Sequence, residues 1–185
     1  ALTQQEITSL YQGCGGSVTS SITPQGNTTF CAGNSVVLNA TNGTGYTYQW
    51  SLNGNAISGA TLSALTATQA GNYNVSIGSG GCFYPSNSIN ITVNTLPNVS
   101  LNGLPNFLNY FAPPVQVTAM PNGGITTGSG YSNGVFTPSI AGLGLKKIQY
   151  QYTDNNGCVQ TRNTVISCNS VQTTYQIYTM CESDF

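Results

Sequence analysis

The sequence predicts an all-β chain built as two tandem sandwich-sized units, and three observations carry that expectation. Period-2 alternation recurs at Ser35–Ala40, Thr47–Ser51, Tyr73–Ile77, Ile89–Val93, Val115–Ala119, Lys147–Thr153, Thr164–Ser167 and Thr174–Thr179, and two residues is the side-chain period of a pleated strand. No segment sustains a period of 3.6. Glu6–Tyr11 could close one helical turn, but Ile7, Leu10 and Tyr11 fit a strand junction equally well. Finally, Gly-Cys recurs at Gly13-Cys14, Gly81-Cys82 and Gly157-Cys158, spaced by 68 and 76 residues, each followed by a β-branched stretch (Val18–Ile22, Ile89–Val93, Val165–Ile166). A recurrence of this kind marks repeated units.

Taken in order, residues 1–25 hold at most a strand, a turn at Gly13–Gly16 and a second strand. They have no room for a core of their own and read as an N-terminal strand extension. The first full unit spans 26–95. Val36 and Leu38 share one face of an early strand, Tyr46–Leu52 alternates around the single Trp50, and Asn53-Gly54 is a two-residue hairpin signal. Tyr73, Val75 and Ile77 alternate after the Ala70-Gly71 turn. The expected core is therefore Leu38, Trp50, Tyr73 and Val75. A central Trp, a Tyr on a late strand and short strands between Gly/Asn turns form the pattern of an immunoglobulin-like sandwich. The second unit spans 96–168, and residues 169–185 read as a C-terminal strand extension in which Tyr175, Ile177 and Thr179 alternate with Gln176 and Tyr178.

In antibody-type domains the bridged cysteines sit inside the two central strands, with the corner Tyr two residues before the second. Here Val75 holds that second position and the early one falls near Ala40, so the cysteines have moved outward. The motifs Cys31-Ala-Gly33-Asn-Ser35-Val36, Tyr48-Gln-Trp50, Ile57-Ser-Gly59-Ala60-Thr61, Ala70-Gly71-Asn-Tyr73 and Gly81-Cys82 resemble, as a set covering about residues 28–95, the Ig-like repeats of secreted surface proteins of Bacteroidetes-type bacteria. The second unit, with Pro121-Asn-Gly-Gly124, Phe136-Thr-Pro138, Ala141-Gly142-Leu-Gly144 and Tyr152-Thr-Asp154-Asn-Asn-Gly157-Cys158, looks like a companion repeat, but lacks the early Cys usual there. The resemblance implies a fold and an extracellular location. It implies no reaction.

Six cysteines in a small β-rich chain point to an oxidising compartment and a disulfide framework. With the strand order placing both at one end of the first sandwich, Cys31 with Cys82 is the expected pair, and closing that loop would contribute on the order of 3–4 kcal/mol. Cys14, Cys158, Cys168 and Cys181 allow three connectivities among which the sequence does not choose. Cys158 with Cys168 would staple one hairpin; Cys14 with Cys181 would tie the two ends or join subunits.

Charged residues are 4% of the 185-residue chain, against roughly 25% in ordinary domains. The three cations are Lys146, Lys147 and Arg162, the four acids Glu6, Asp154, Glu182 and Asp184, and there is no His. A net charge of −1 leaves no basic footprint for nucleic acid or anionic lipid. No apolar run is long enough to span a bilayer. No signal peptide is seen, so residue 1 reads as a mature or trimmed end. A surface so poor in charge lacks the usual deterrent to strand-edge association, which suits a protein that assembles or one coated with sugar.

No catalytic constellation or cofactor site emerges. Acid–base catalysis draws on His or paired carboxylates, and the acids here are scattered. A Ser nucleophile would need Lys146 or Lys147 as base, and neighbours in a strand point to opposite faces. Metal ligation lacks a Cys-x-x-Cys pair, and Asp154-Asn-Asn-Gly157 reads as a hairpin turn rather than a calcium loop. Tyr46, Tyr48, Tyr84, Tyr110, Tyr131, Tyr150 and Tyr152 are candidates for stacking on sugars or proteins, against the plainer reading of half-buried strand tyrosines. Sequons occur at Asn27, Asn39, Asn42, Asn74, Asn90 and Asn98, but 21 Asn among 43 Ser and Thr give about five by chance, so the count does not argue for glycosylation.

The function expected is non-enzymatic: a secreted, structural or adhesive protein, either a repeat segment of a surface adhesin or a subunit of an extracellular fibre joined by strand donation or disulfides. Its partners would be further copies or neighbouring repeats. The competing expectation is a carbohydrate- or protein-binding module attached to a larger secreted enzyme.

Overall fold

The computed structural model describes residues 18–170, and these are almost entirely β. They divide into two units, one reaching to Leu96 and including Asn156–Cys158, the other running from Pro97 to Asn155 and on from Val159.

In the first unit, β1 (Ile22–Pro24), β3 (Val36–Ala40) and β6 (Ala64–Ala67) form one antiparallel sheet in the order β1-β3-β6. The facing sheet is β2 (Thr29–Cys31), β9 (Ile89–Asn94), β7 (Gly71–Ser79), β4 (Thr47–Leu52) and β5 (Asn55–Ala56), with β8 (Cys82–Pro85) extending β7 where β9 stops. The β2–β9 pair is parallel while the rest are antiparallel. This is the Ig-like arrangement, with the first strand split so that its second half joins the last strand. Alternation decides which side chains enter: β3 buries Val36, Leu38 and Ala40, and β7 buries Tyr73, Val75 and Ile77. Leu38, Trp50, Tyr73 and Val75 all lie in the core, together with Ile22, Ala67 and Ile91. Asn53 and Gly54 take φ of 51° and 81° between β4 and β5, the left-handed pair that a type I′ hairpin demands.

Ile22 marks where the end of the N-terminal extension packs. It is buried, and β1 pairs antiparallel with β3, so the end of the 1–25 extension is the first strand of this sandwich. The Asn87 side chain completes its docking: the Ile22 N–H donates to Asn87 Oδ1 at 2.8 Å, and Asn87 Nδ2 donates to the Ile22 carbonyl at 3.2 Å. Glu6–Tyr11 and Thr174–Thr179 lie outside the described residues.

The second unit repeats the plan with two long strands and otherwise two- or three-residue ones. β11 (Phe107–Asn109), β18 (Val159–Asn169), β17 (Gly144–Thr153) and β14 (Ile125–Thr127) make one sheet in that order, and β11 pairs β18 in parallel. Opposite it stand the pair β10 (Ser100–Asn102) and β13 (Thr118–Met120), and the set β12 (Val115–Gln116), β16 (Val135–Phe136) and β15 (Tyr131–Ser132). A single helical turn, α1 (Pro138–Ala141), precedes β17; Pro138 opens it, where a missing N–H costs nothing. Too short to show a 3.6 period, it leaves no trace in the alternation. The core is Leu101, Val117, Phe136, Ala141, Ile148, Tyr150, Ile166 and Cys168. The Tyr150 hydroxyl donates to the Pro121 carbonyl and accepts the Gly124 N–H at 3.1 Å.

Candidate adhesive surfaces and cysteines

The first sandwich is held by two polar tips in an otherwise apolar interior. Trp50 is fully buried on β4, and its indole N–H donates to the Leu62 carbonyl at 2.8 Å. Tyr73 is the third residue of β7 and its hydroxyl donates to the Gln69 carbonyl at 3.1 Å, the tyrosine-corner bond of Ig-like folds. Each buried aromatic thus places its one polar group against a backbone carbonyl.

The disulfides differ from expectation. Cys31 is bonded to Cys158, with Cα atoms 5.6 Å apart and a sequence separation of 127. Cys82 is also disulfide-bonded, but not to Cys31. The strand register gives the reason. Cys31 stands opposite Asn94, three residues beyond Ile91, which pairs with Gly71 at the start of β7; Cys82 stands opposite Ser79 at its far end. Eight residues of strand separate those ends by about 27 Å, far beyond the reach of a disulfide. The two cysteines sit at opposite ends of the sandwich. Cys158 lies in the Asp154–Cys158 turn, which belongs with the first unit over Asn156–Cys158. Cys168 is a free thiol buried in the second core, because alternation along β18 turns residues 166 and 168 inward. The Cys158–Cys168 staple is therefore not formed. Cys14 and Cys181 lie outside the described residues.

Two surfaces of the first unit stand out. The first is the free side of β6. This strand pairs only with β3, and among the described residues no strand pairs with its other edge. In a seven-strand Ig sandwich a further strand would occupy that place; here only residues 57–63 separate β5 from β6. A cavity of about 220 Å³ opens beside the edge, lined by Leu52, Ile57, Leu65, Thr66, Thr68, Gln69 and Tyr73.

The second surface is the outward face of β9, β7, β4 and β8. Its rows, read from the register, are Asn90–Asn72, Asn74–Ser51, Pro85–Ser76–Gln49 and Phe83–Gly78–Thr47. Phe83 was not among the sequence-predicted candidates, although Gly78 in an alternating strand signals a place where something closes over the backbone. Of the stacking candidates, Tyr46, Tyr48, Tyr84, Tyr110, Tyr131 and Tyr152 are half-buried and Tyr150 is buried, and Tyr48 and Tyr84 flank the buried Ile77 in one row of the inward face. The hydroxyl of Tyr48, for one, donates to the Asn42 side chain at 3.0 Å. Of the sequons, Asn27, Asn42, Asn90 and Asn98 are exposed, while Asn39 and Asn74 are half-buried within strands.

Among the described residues no group of three or more His, Cys, Asp or Glu side chains gathers to hold a metal, and no helix is long and apolar enough to cross a membrane. Lys146 is half-buried and Lys147 exposed on β17, the alternation expected of strand neighbours.

No protein-family model matches the chain, and no curated protein matches it. Solved structures similar to it include a Ca²⁺-stabilised adhesin that helps an Antarctic bacterium bind ice, with 14% identity over 84% of this chain and 50% of that one at a TM-score of 0.41. Others are the I67–I69 fragment of the titin I-band, with 11% identity over 80% of this chain and 64% of that one at 0.36, and murine CEACAM1b, with 12% over 82% and 100% at 0.34. The chain spans half the length of the adhesin and less than two thirds of the titin fragment. The Ig-like assignment itself rests on the strand pairing described above.

Proposed function

We propose that this chain is a non-enzymatic, extracellular structural or adhesive module of the kind carried by secreted surface proteins of Bacteroidetes-type bacteria, and that copies associate by strand donation. The observation that carries this reading is the unpaired edge of β6 with its adjoining cavity. An open edge offers backbone N–H and C=O groups to an incoming strand, and pockets beside it accept alternate side chains. The sequence contains a matching segment. Val171, Thr173, Tyr175, Ile177 and Thr179 occupy alternate positions of residues 171–180, so such a strand would present a face of β-branched and aromatic side chains to Leu52, Ile57, Leu65 and Tyr73. The scarcity of charge supports the same reading, since charge is what normally protects an edge.

Sedimentation of the full chain and of a chain ending at Asn169 tests it. The full chain should associate with rising concentration, and the shortened chain should stay monomeric with its Trp50 fluorescence unchanged. A monomeric full chain, or association that survives the truncation, would overturn strand donation by this segment.

A further inference from the structure

We propose that the outward face of β8, β7 and β4 is a binding surface for neutral polysaccharide, with Phe83 as its stacking platform. A single exposed apolar side chain needs no explanation. Phe83 is distinguished by how it is mounted and by what surrounds it.

Phe83 stands opposite Gly78 in the β7–β8 register, and Gly78 stands opposite Thr47 in the β4–β7 register. A Cβ at Gly78 would lie 3.3 Å from Phe83 Cε1 and 2.3 Å from Thr47 Oγ1. The ring and the hydroxyl therefore meet over a bare stretch of backbone, and Gly78 is buried beneath them. The ring nevertheless stays 74% exposed. It caps the glycine without entering any core, and its remaining surface faces outward. Cys82, the neighbouring residue, is disulfide-bonded.

The surrounding groups are hydroxyls and amides that both donate and accept. Ser76, Ser51, Asn74, Asn72 and Asn90 occupy the same face. Some of them already order each other: Asn90 Nδ2 donates to Asn72 Oδ1 at 2.9 Å, and the Asn72 N–H donates to Asn53 Oδ1 at 2.9 Å. Formal charge is absent from Ile7 to Leu145, so nothing on this face attracts a phosphate, carboxylate, sulfate or ammonium group. An aromatic plate beside an ordered, uncharged array of amides and hydroxyls matches a polyol with apolar C–H faces: an aromatic ring packs on the C–H face and the polar groups replace water at the hydroxyls. The face is an open sheet rather than a pocket, so it suits the flank of an extended chain rather than a chain end. Individual contacts would be weak, and repeated copies would raise the net affinity.

Affinity electrophoresis of the full, disulfide-intact chain through native gels containing soluble neutral polysaccharides (hydroxyethyl cellulose, β-glucan, xylan, galactomannan) tests the proposal, with alginate as an anionic control. Retardation is expected in at least one neutral gel, equal at low and high salt because no ion pair contributes. Phe83→Ala should weaken it by about tenfold or more, as loss of a central aromatic anchor does. Phe111→Ala removes an aromatic of similar exposure, 71%, from the second unit and should change nothing. Because Phe83 lies outside the core, unchanged Trp50 fluorescence will show that the variant is folded. Retardation by alginate alone, by none of the gels, or equally in Phe83→Ala overturns the proposal. So does a Phe83→Ala variant that loses self-association but keeps its glycan retardation, since the face would then be an interface between copies. The chain ending at Asn169 should bind as the full chain does at equal valency, which separates this outcome from that of strand donation.

Discussion

The two units share a strand order, including the parallel pair that closes one sheet, yet they are stabilised differently. The first has a Trp, a tyrosine corner and no formal charge in its described part. The second has neither a Trp nor that corner. It centres on Phe136 and on Tyr150, whose hydroxyl holds the turn after β13 from below. It also carries every charged residue among those described (Lys146, Lys147, Asp154 and Arg162) and a buried free thiol. Topology here survives a complete change of core anchors. What the two cores share is alternation that delivers apolar residues from both sheets to one interior, and that is the property a sandwich requires.

The largest effect should come from the Cys31–Cys158 bond. For a loop of 127 residues, chain-entropy reasoning gives about 5 kcal/mol. Paired Cys31→Ser and Cys158→Ser substitutions should lower the Trp50-detected unfolding midpoint markedly in a non-reducing denaturant titration. Non-reducing peptide mapping should recover the Cys31 peptide joined to the Cys158 peptide. A Cys31–Cys82 link, or an unchanged midpoint in the double variant, would break the account of how the first unit is secured.

That bond also shows where the sequence was legible. Leu38, Trp50, Tyr73 and Val75 were identifiable as core because alternation is local and the first unit's strands are long. The Asn53-Gly54 turn was identifiable because left-handed φ at two successive positions leaves few residue choices. The disulfide was not, since pairing depends on which end of a sheet each cysteine reaches, and that is fixed by the split first strand running parallel to β9. Phe83 escaped for a related reason: its role exists only through the cross-strand partner Gly78. In the second unit, two-residue strands are too short to display a period, so β15 and β16 left little trace.

A smaller effect separates the two buried tyrosines. Tyr73→Phe removes one hydrogen bond, to the Gln69 carbonyl, and should cost about 1 kcal/mol. Tyr150→Phe leaves both the Pro121 carbonyl and the Gly124 N–H without their partner and should cost about 2 kcal/mol. Amide exchange read separately in the two units would place each loss in its own sandwich. Equal losses, or a loss spread over both units, would mean that the tyrosines do not anchor the units individually.

The smallest effect sharpens the contrast most directly. Stability depends on pH only where folded and unfolded states bind different numbers of protons. No Asp, Glu, His, Lys or Arg occurs from Ile7 to Leu145, and Asn156–Cys158 adds none. Across the range in which carboxylates and imidazoles titrate, the described part of the first unit therefore takes up no side-chain protons on unfolding, and the predicted slope is zero. Trp50 is the only Trp and lies in that unit, so its fluorescence isolates the first sandwich within the intact chain. Its urea midpoint should stay level from about pH 4 to about pH 8, and should respond as little to salt, because the described part of this unit carries no charged side chain to be screened. A midpoint that climbs with pH would require a carboxylate stabilised in the folded state. The nearest such group in sequence to the Asn156–Cys158 turn is Asp154, so Asp154→Asn would reveal whether the first sandwich draws stability from a charge outside itself.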